Sequence, residues 1–156
     1  MFSRRVLAVL IVVLSSTGLA AAKDLALVSN KSNTVTALTM ADLVKVCKGQ
    51  TNRWPDGKPV TFITRGPSTP AMKLALEKIY GMSQAEVAEL ITAANHGRQN
   101  HPAIVVVDSD EDVVNKVASI PGAVGLVDVY SINSAVAVVK VAGKLPLEPG
   151  YALHGN

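Results

Sequence analysis

Pro59-Val60-Thr61-Phe62-Ile63-Thr64-Arg65-Gly66-Pro67-Ser68-Thr69-Pro70 carries the change of period that decides the fold. Pro59 to Thr64 alternates in the manner of a strand. Past Arg65, small polar residues lead to Pro70, whose fixed φ suits the first position of a helix, with Thr69 placed as its N-cap. Met72, Leu76 and Ile79 then recur at helical spacing, while Lys73 and Glu77 fall elsewhere. The stretch reads as a strand, a short connection and a helix, the unit from which α/β sheets are assembled.

The same alternation continues in both directions. Upstream, Asp24 to Ser29 is a short apolar strand that gives way to Asn30-Lys31-Ser32-Asn33. Thr39 caps a helix to about Lys48, Gly49 ends it, and Trp54-Pro55-Asp56-Gly57 is a turn. Downstream, Ser83 with Glu86 forms a capping box for a helix bearing Val87, Leu90, Ile91 and Ala94, and Asn95 to Pro102 is a polar loop. Ala103 to Val107 is a wholly apolar strand, followed by a helix capped by Ser109 with Asp112 and broken at Pro121-Gly122. Strands at about Ala123 to Val127 and Ala135 to Val141 precede a tail, from about residue 143, expected to be mobile. Strands apolar throughout need cover on both faces, so the fold class expected is α/β: a mostly parallel sheet flanked by helices.

The N-terminus follows a different rule. Arg4 and Arg5, the apolar run Val6 to Leu14, and Ala20-Ala21-Ala22 before Lys23 have the order of a cleavable signal peptide. The run is shorter than the roughly 20 apolar residues a membrane span requires. Residues 1–22 are therefore expected to be removed on export, leaving 23–156, about 134 residues, as one domain. The chain has 15 Lys+Arg against 12 Asp+Glu, and loss of Arg4 and Arg5 leaves 13 against 12. So nearly balanced a surface, with no Lys/Arg block, argues against nucleic acid as a partner. The single Cys47 can form no internal disulfide, and its helical spacing with Met40, Leu43 and Val44 marks it as a small buried hydrophobe.

Chemistry has few places to reside. A helix start offers unpaired N–H groups and the positive end of a dipole, Ser68 and Thr69 add hydroxyls, and Arg65 adds a planar fork suited to phosphate or carboxylate. On spacing alone an ordinary capped helix and an anion site both fit. The loop at Asn30 and Ser32 is a turn at a strand's end that can add further donors. His96 and His101 share a loop without the Cys or carboxylate partners of a metal site. Asp108, Asp110, Glu111 and Asp112 complement the dipole of the helix they open. No cofactor or metal motif is present, nor a G-x-S-x-G elbow, H-E-x-x-H helix or Walker loop, so the chain is not expected to be an enzyme.

Leu38-Thr39-Met40-Ala41-Asp42-Leu43-Val44-Lys45-Val46-Cys47-Lys48-Gly49, then Arg53-Trp54-Pro55-Asp56-Gly57, then Pro59 to Arg65, resembles the phosphate-type periplasmic substrate-binding proteins of ABC transporters. In that family an L-s-x-x-x-L-x-x-I-F-x-G helix precedes a W-x-D/P-D-G turn and a strand leading to R-x-D-G-S-G-T. Asp108 to Val127 resembles the family's segment ending P-G-A-I-G-Y. The resemblance implies one lobe of a type II periplasmic binding protein, with Arg65, Ser68 and Thr69 toward an oxyanion. Counted from Arg65, the family's Asp falls at Pro67, its Gly at Ser68, its Ser at Thr69, its second Gly at Pro70 and its Thr at Ala71. The carboxylate that would accept a hydrogen from a protonated oxyanion is thus missing from the motif.

The expected function is an exported, periplasmic or secreted, solute-binding domain that takes phosphate or a similar oxyanion for an ABC transport system, with a permease or sensor as partner. A single lobe leaves its ligand partly solvated, which weakens each charged contact. The alternative is a non-binding interaction or regulatory module of the same fold, docking a second copy or another protein.

Overall fold

A computed structural model describes residues 23–155, so the expected signal peptide lies outside the described residues. Six strands form one sheet: β1 (Leu25–Asn30), β2 (Ala37–Leu38), β3 (Thr61–Arg65), β4 (Ile104–Val107), β5 (Ala123–Asp128) and β6 (Val136–Val141). Their spatial order is β2-β6-β1-β5-β3-β4. β3 is parallel to β4 and β5, β2 is parallel to β6, and β1 is antiparallel to both its neighbours. Five strands therefore run one way and β1 alone the other. The mostly parallel sheet expected from the sequence is present, with one reversed strand at its middle.

Helices cover both faces. α1 (Met40–Cys47), the helical stretch around α2 (Lys73–Ala75) and α3 (Gln84–Ala94) lie on one side, where Leu25, Leu27, Phe62, Val124 and Leu126 meet Leu43, Val46, Met72, Ile79 and Val87. α4 (Asp110–Ser119) covers the other side, packing Val113, Val114 and Val117 on Ala26, Val28, Ile63 and Val127. Each central strand thus sends alternate side chains into two cores, which explains its unbroken apolar composition. Gly125 lets α4 approach: a Cβ there would lie 2.6 Å from Val113 Cγ1 and 3.0 Å from Ile63 O.

Most caps fall where the sequence places them. Thr39, Ser83 and Ser109 accept from the N–H groups of Asp42, Glu86 and Asp112. Thr69 differs: its hydroxyl donates back to Gly66 O at 2.7 Å and makes no side-chain bond to the helix it precedes. That helix begins as a 3₁₀ turn (Pro70–Met72), passes through α2 and ends as a π turn (Leu76–Tyr80) at Gly81, whose φ is +59°. Asn95 ends α3 and pairs with the edge strand, donating to Ile104 O and accepting from Ile104 N–H.

The tail does not behave as its Pro- and Gly-bearing composition suggests. Tyr151 and Leu153 are buried, Tyr151 Oη donates to Leu25 O at 2.7 Å, and Leu25 N–H donates to Leu153 O. Asp24 receives the N–H groups of Leu147 and Gly155 and lies 2.7 Å from His154 Nδ1. Loss of hydration pushes the Asp24 carboxyl upward, but the Leu147, His154 and Gly155 contacts outweigh it and hold the group below the usual carboxylate range. The tail is a clasp over the start of β1, built from the Asp24 carboxylate, the Tyr151 hydroxyl and one backbone pair, which composition does not reveal.

Candidate anion site at the carboxyl ends of the strands

Because β3, β4 and β5 are parallel, their last residues gather at one end of the sheet, the end where open α/β sheets bind ligands. Arg65 closes β3 opposite Val107 of β4. Ser109 turns the chain after β4 into α4, so Asp110, the first residue of that helix, faces Arg65. Arg65 Nη1 lies 3.2 Å from Asp110 Oδ1, and the two side chains are only 20% and 19% exposed. Asp110 Oδ2 is held separately by the Asp128 N–H and Ser131 Oγ. The pair is therefore anchored from three strand ends at once.

The rest of the guanidinium is not so well satisfied. Arg65 Nε is buried and without a hydrogen-bond partner among the described residues. Such a donor costs about 1–3 kcal/mol when left unpaired. Ser68 is exposed in the loop after β3, while Thr69 has turned its hydroxyl to Gly66 O. Arg65, Ser68 and Thr69 thus share one loop-and-strand end, with Arg65 the member held in place by another element.

Asn30 and Ser32 are elsewhere. β1 is antiparallel, so its final residues lie at the end of the sheet where β3 and β5 begin, displaced from Arg65 by about 13 Å along the strand direction (four steps of about 3.3 Å) and by two strands sideways. Asn30 Nδ2 donates to Val117 O and Ala118 O at the end of α4, and its Oδ1 accepts from Ser32 N–H and Ser32 Oγ. These groups are spent on closing the helix, and the structure does not bring them to Arg65. Asp110, in contrast, was legible only as an acidic residue favouring a helix start. Its pairing with a residue 45 positions away depends on which strands are neighbours.

Cys47 is fully buried, and burial pushes its thiol up, away from nucleophilic character. No group of three or more His, Cys, Asp or Glu residues is placed to hold a metal among the described residues.

A family model described as a PBP superfamily domain matches residues 16–151. The chain belongs to that superfamily. Solved structures of similar fold include an ABC-type phosphate transport receptor from Vibrio cholerae (TM-score 0.69, 22% identity, covering 86% of this chain and 55% of that one). PstS from Borrelia burgdorferi gives 0.67 at 19% identity, covering 87% and 56%. A putative phosphate ABC transporter substrate-binding protein from Clostridium perfringens, solved with bound phosphate, gives 0.64 at 21% identity, covering 79% and 46%. No curated protein matches. This PBP-superfamily chain spans about half the length of the solved structures it matches, and its sheet flanked by helices corresponds to one of their lobes. No helix among the described residues is long and apolar enough to cross a membrane.

Proposed function

We propose that the protein binds a protonated oxyanion, phosphate foremost, at Arg65, and that it does so outside the cytoplasm in the service of an ABC transport system. The observation that carries the reading is Arg65 itself: a guanidinium at the carboxyl end of β3, steadied by Asp110, with a buried unpaired Nε. An anion approaching the fork adds acceptors for the accessible N–H groups of the guanidinium, and Ser68 and Thr69 in the adjoining loop supply hydroxyls. Asp110 takes over the task for which Pro67 is unfit. Its Oδ1 receives Arg65 Nη1 and, as a carboxylate oxygen, keeps a second lone pair for a hydrogen on the ligand. Phosphate near neutral pH carries such a hydrogen and sulfate does not, so the arrangement favours phosphate. Capture is reversible and involves no covalent step.

Calorimetric titration of the protein, unfolded and refolded to strip bound anion, tests this. Saturable heat with phosphate that disappears in Arg65→Ala is the expected result. Phosphate binding that survives the substitution would place the site elsewhere.

A second reading rests on a separate observation. Tyr130, just after β5, and Leu147, bonded to Asp24 ahead of β1, are exposed apolar side chains at this same end of the sheet. A rim of this kind suits an interaction module that docks a second copy or another protein there. Sedimentation showing self-association that Tyr130→Ser with Leu147→Ser abolishes, together with no heat from phosphate, would favour it.

A further inference from the structure

The opposite end of the sheet holds a cleft of about 630 Å³ between the start of β3, the turn before it and the loop after α3. Its walls carry Arg53, Arg98 and His101 with the amides of Asn52, Gln99 and Asn100, and no carboxylate. Only three arginines, Arg53, Arg65 and Arg98, occur among the described residues, so two of the three converge here. Both are positioned by neutral oxygens: Arg53 Nη1 donates to Gly57 O at 2.8 Å, and Arg98 Nη2 donates to Asn52 Oδ1 at 2.7 Å. Arg65 is charge-compensated by Asp110, whereas Arg53 and Arg98 have no carboxylate partner among the described residues. The nearby Asp56 is engaged by Lys58 at 2.8 Å.

We infer that this cleft is a second anion site, for a compact polyvalent oxyanion whose charged groups bridge Arg53 and Arg98. The inference stands independently of any ligand at Arg65. Each guanidinium has five N–H donors and spends one on its tether, leaving the others to face a ligand in the fork geometry that suits phosphate or carboxylate oxygens. Two forks on separate loops select an anion with at least two charged groups over a single carboxylate. Asn52, Gln99 and Asn100 supply neutral donors around them, and the volume lies within the range of small-molecule sites. His101 adds a further donor on the same wall. The Arg98–Asn52 tether joins the loop after α3 to the turn before β3, so the ligand meets a formed site and loses less affinity to ordering.

The test is an NMR titration of the isotopically labelled protein with pyrophosphate, in the wild type, in Arg65→Ala, and in Arg53→Gln with Arg98→Gln. Expected are saturable amide shifts at Asn52, Arg98, Asn100 and His101, unchanged in Arg65→Ala and weakened at least tenfold in the double variant. Arg53→Gln alone touches only a turn carbonyl and serves as a second variant if the double one is perturbed; it should weaken the same shifts at least threefold. Shifts confined to the Arg65 end, shifts in the cleft unaltered by the arginine substitutions, or no saturable shift would each overturn the proposal.

Discussion

Replacing Asp110 by Asn examines the proposed selectivity most directly, because it removes a charge from the rim of the anion site while keeping the shape. An anion seated on the far side of the Arg65 fork lies roughly 6 Å from the Asp110 carboxylate, given the 3.2 Å contact between the two side chains. At the dielectric of water, two like unit charges at that separation repel by about 0.7 kcal/mol, and a divalent anion by about 1.4 kcal/mol. Sulfate suffers this repulsion with nothing in return. Phosphate can instead take the near side of the fork, within hydrogen-bond reach of Oδ1, and offset the repulsion by donating its hydrogen there, a charge-assisted bond of about 1.5–3 kcal/mol. In Asp110→Asn sulfate should therefore bind about tenfold more tightly, while phosphate changes little or weakens, so that the preference collapses. Calorimetric titration of both proteins with both anions at one ionic strength reads the ratio. A phosphate-to-sulfate ratio that is the same in the two proteins would refute the role given to Asp110. Urea unfolding of the variant guards against a trivial loss of structure.

Asn30→Ala removes the side chain that closes α4, leaving Val117 O and Ala118 O without their donor; the urea midpoint should fall by the equivalent of about 2 kcal/mol, with phosphate affinity unchanged. The Asp24 carboxyl sits below its ordinary range in the folded protein, so its contribution is present above the unfolded value near 4 and fades as pH falls through the folded one. Wild-type stability should accordingly drop faster than that of Asp24→Asn as pH falls below about 4, and parallel curves would count against the clasp. Cys47, buried with its thiol pushed up, should react with a thiol reagent only as fast as the protein opens, so the rate should follow urea-induced unfolding.

Local periodicity and local hydrogen bonding account for what the sequence determined by itself. The Ser83–Glu86 and Ser109–Asp112 caps, the stop at Gly49 with its φ of +69°, and the strands apolar on both faces are contacts within a few residues or consequences of burial pattern. The same holds for the placing of Arg65 at the end of β3 ahead of a loop and a helix start, which is a sequential feature. Direction and neighbourhood are not sequential. A strand buried on both faces reads the same whichever way it runs, so only the folded sheet shows β1 reversed, carrying Asn30 and Ser32 away from Arg65. Strand order likewise brings Asp110 to Arg65 and sets Arg53 beside Arg98, pairs joined by neither period nor motif. The tail composition suggested mobility because Pro and Gly disfavour regular elements, whereas the irregular backbone there finds hydrogen-bond partners in Asp24 and Leu25. Those partners lie more than 120 positions earlier in the chain, and only closure of the core puts them within reach.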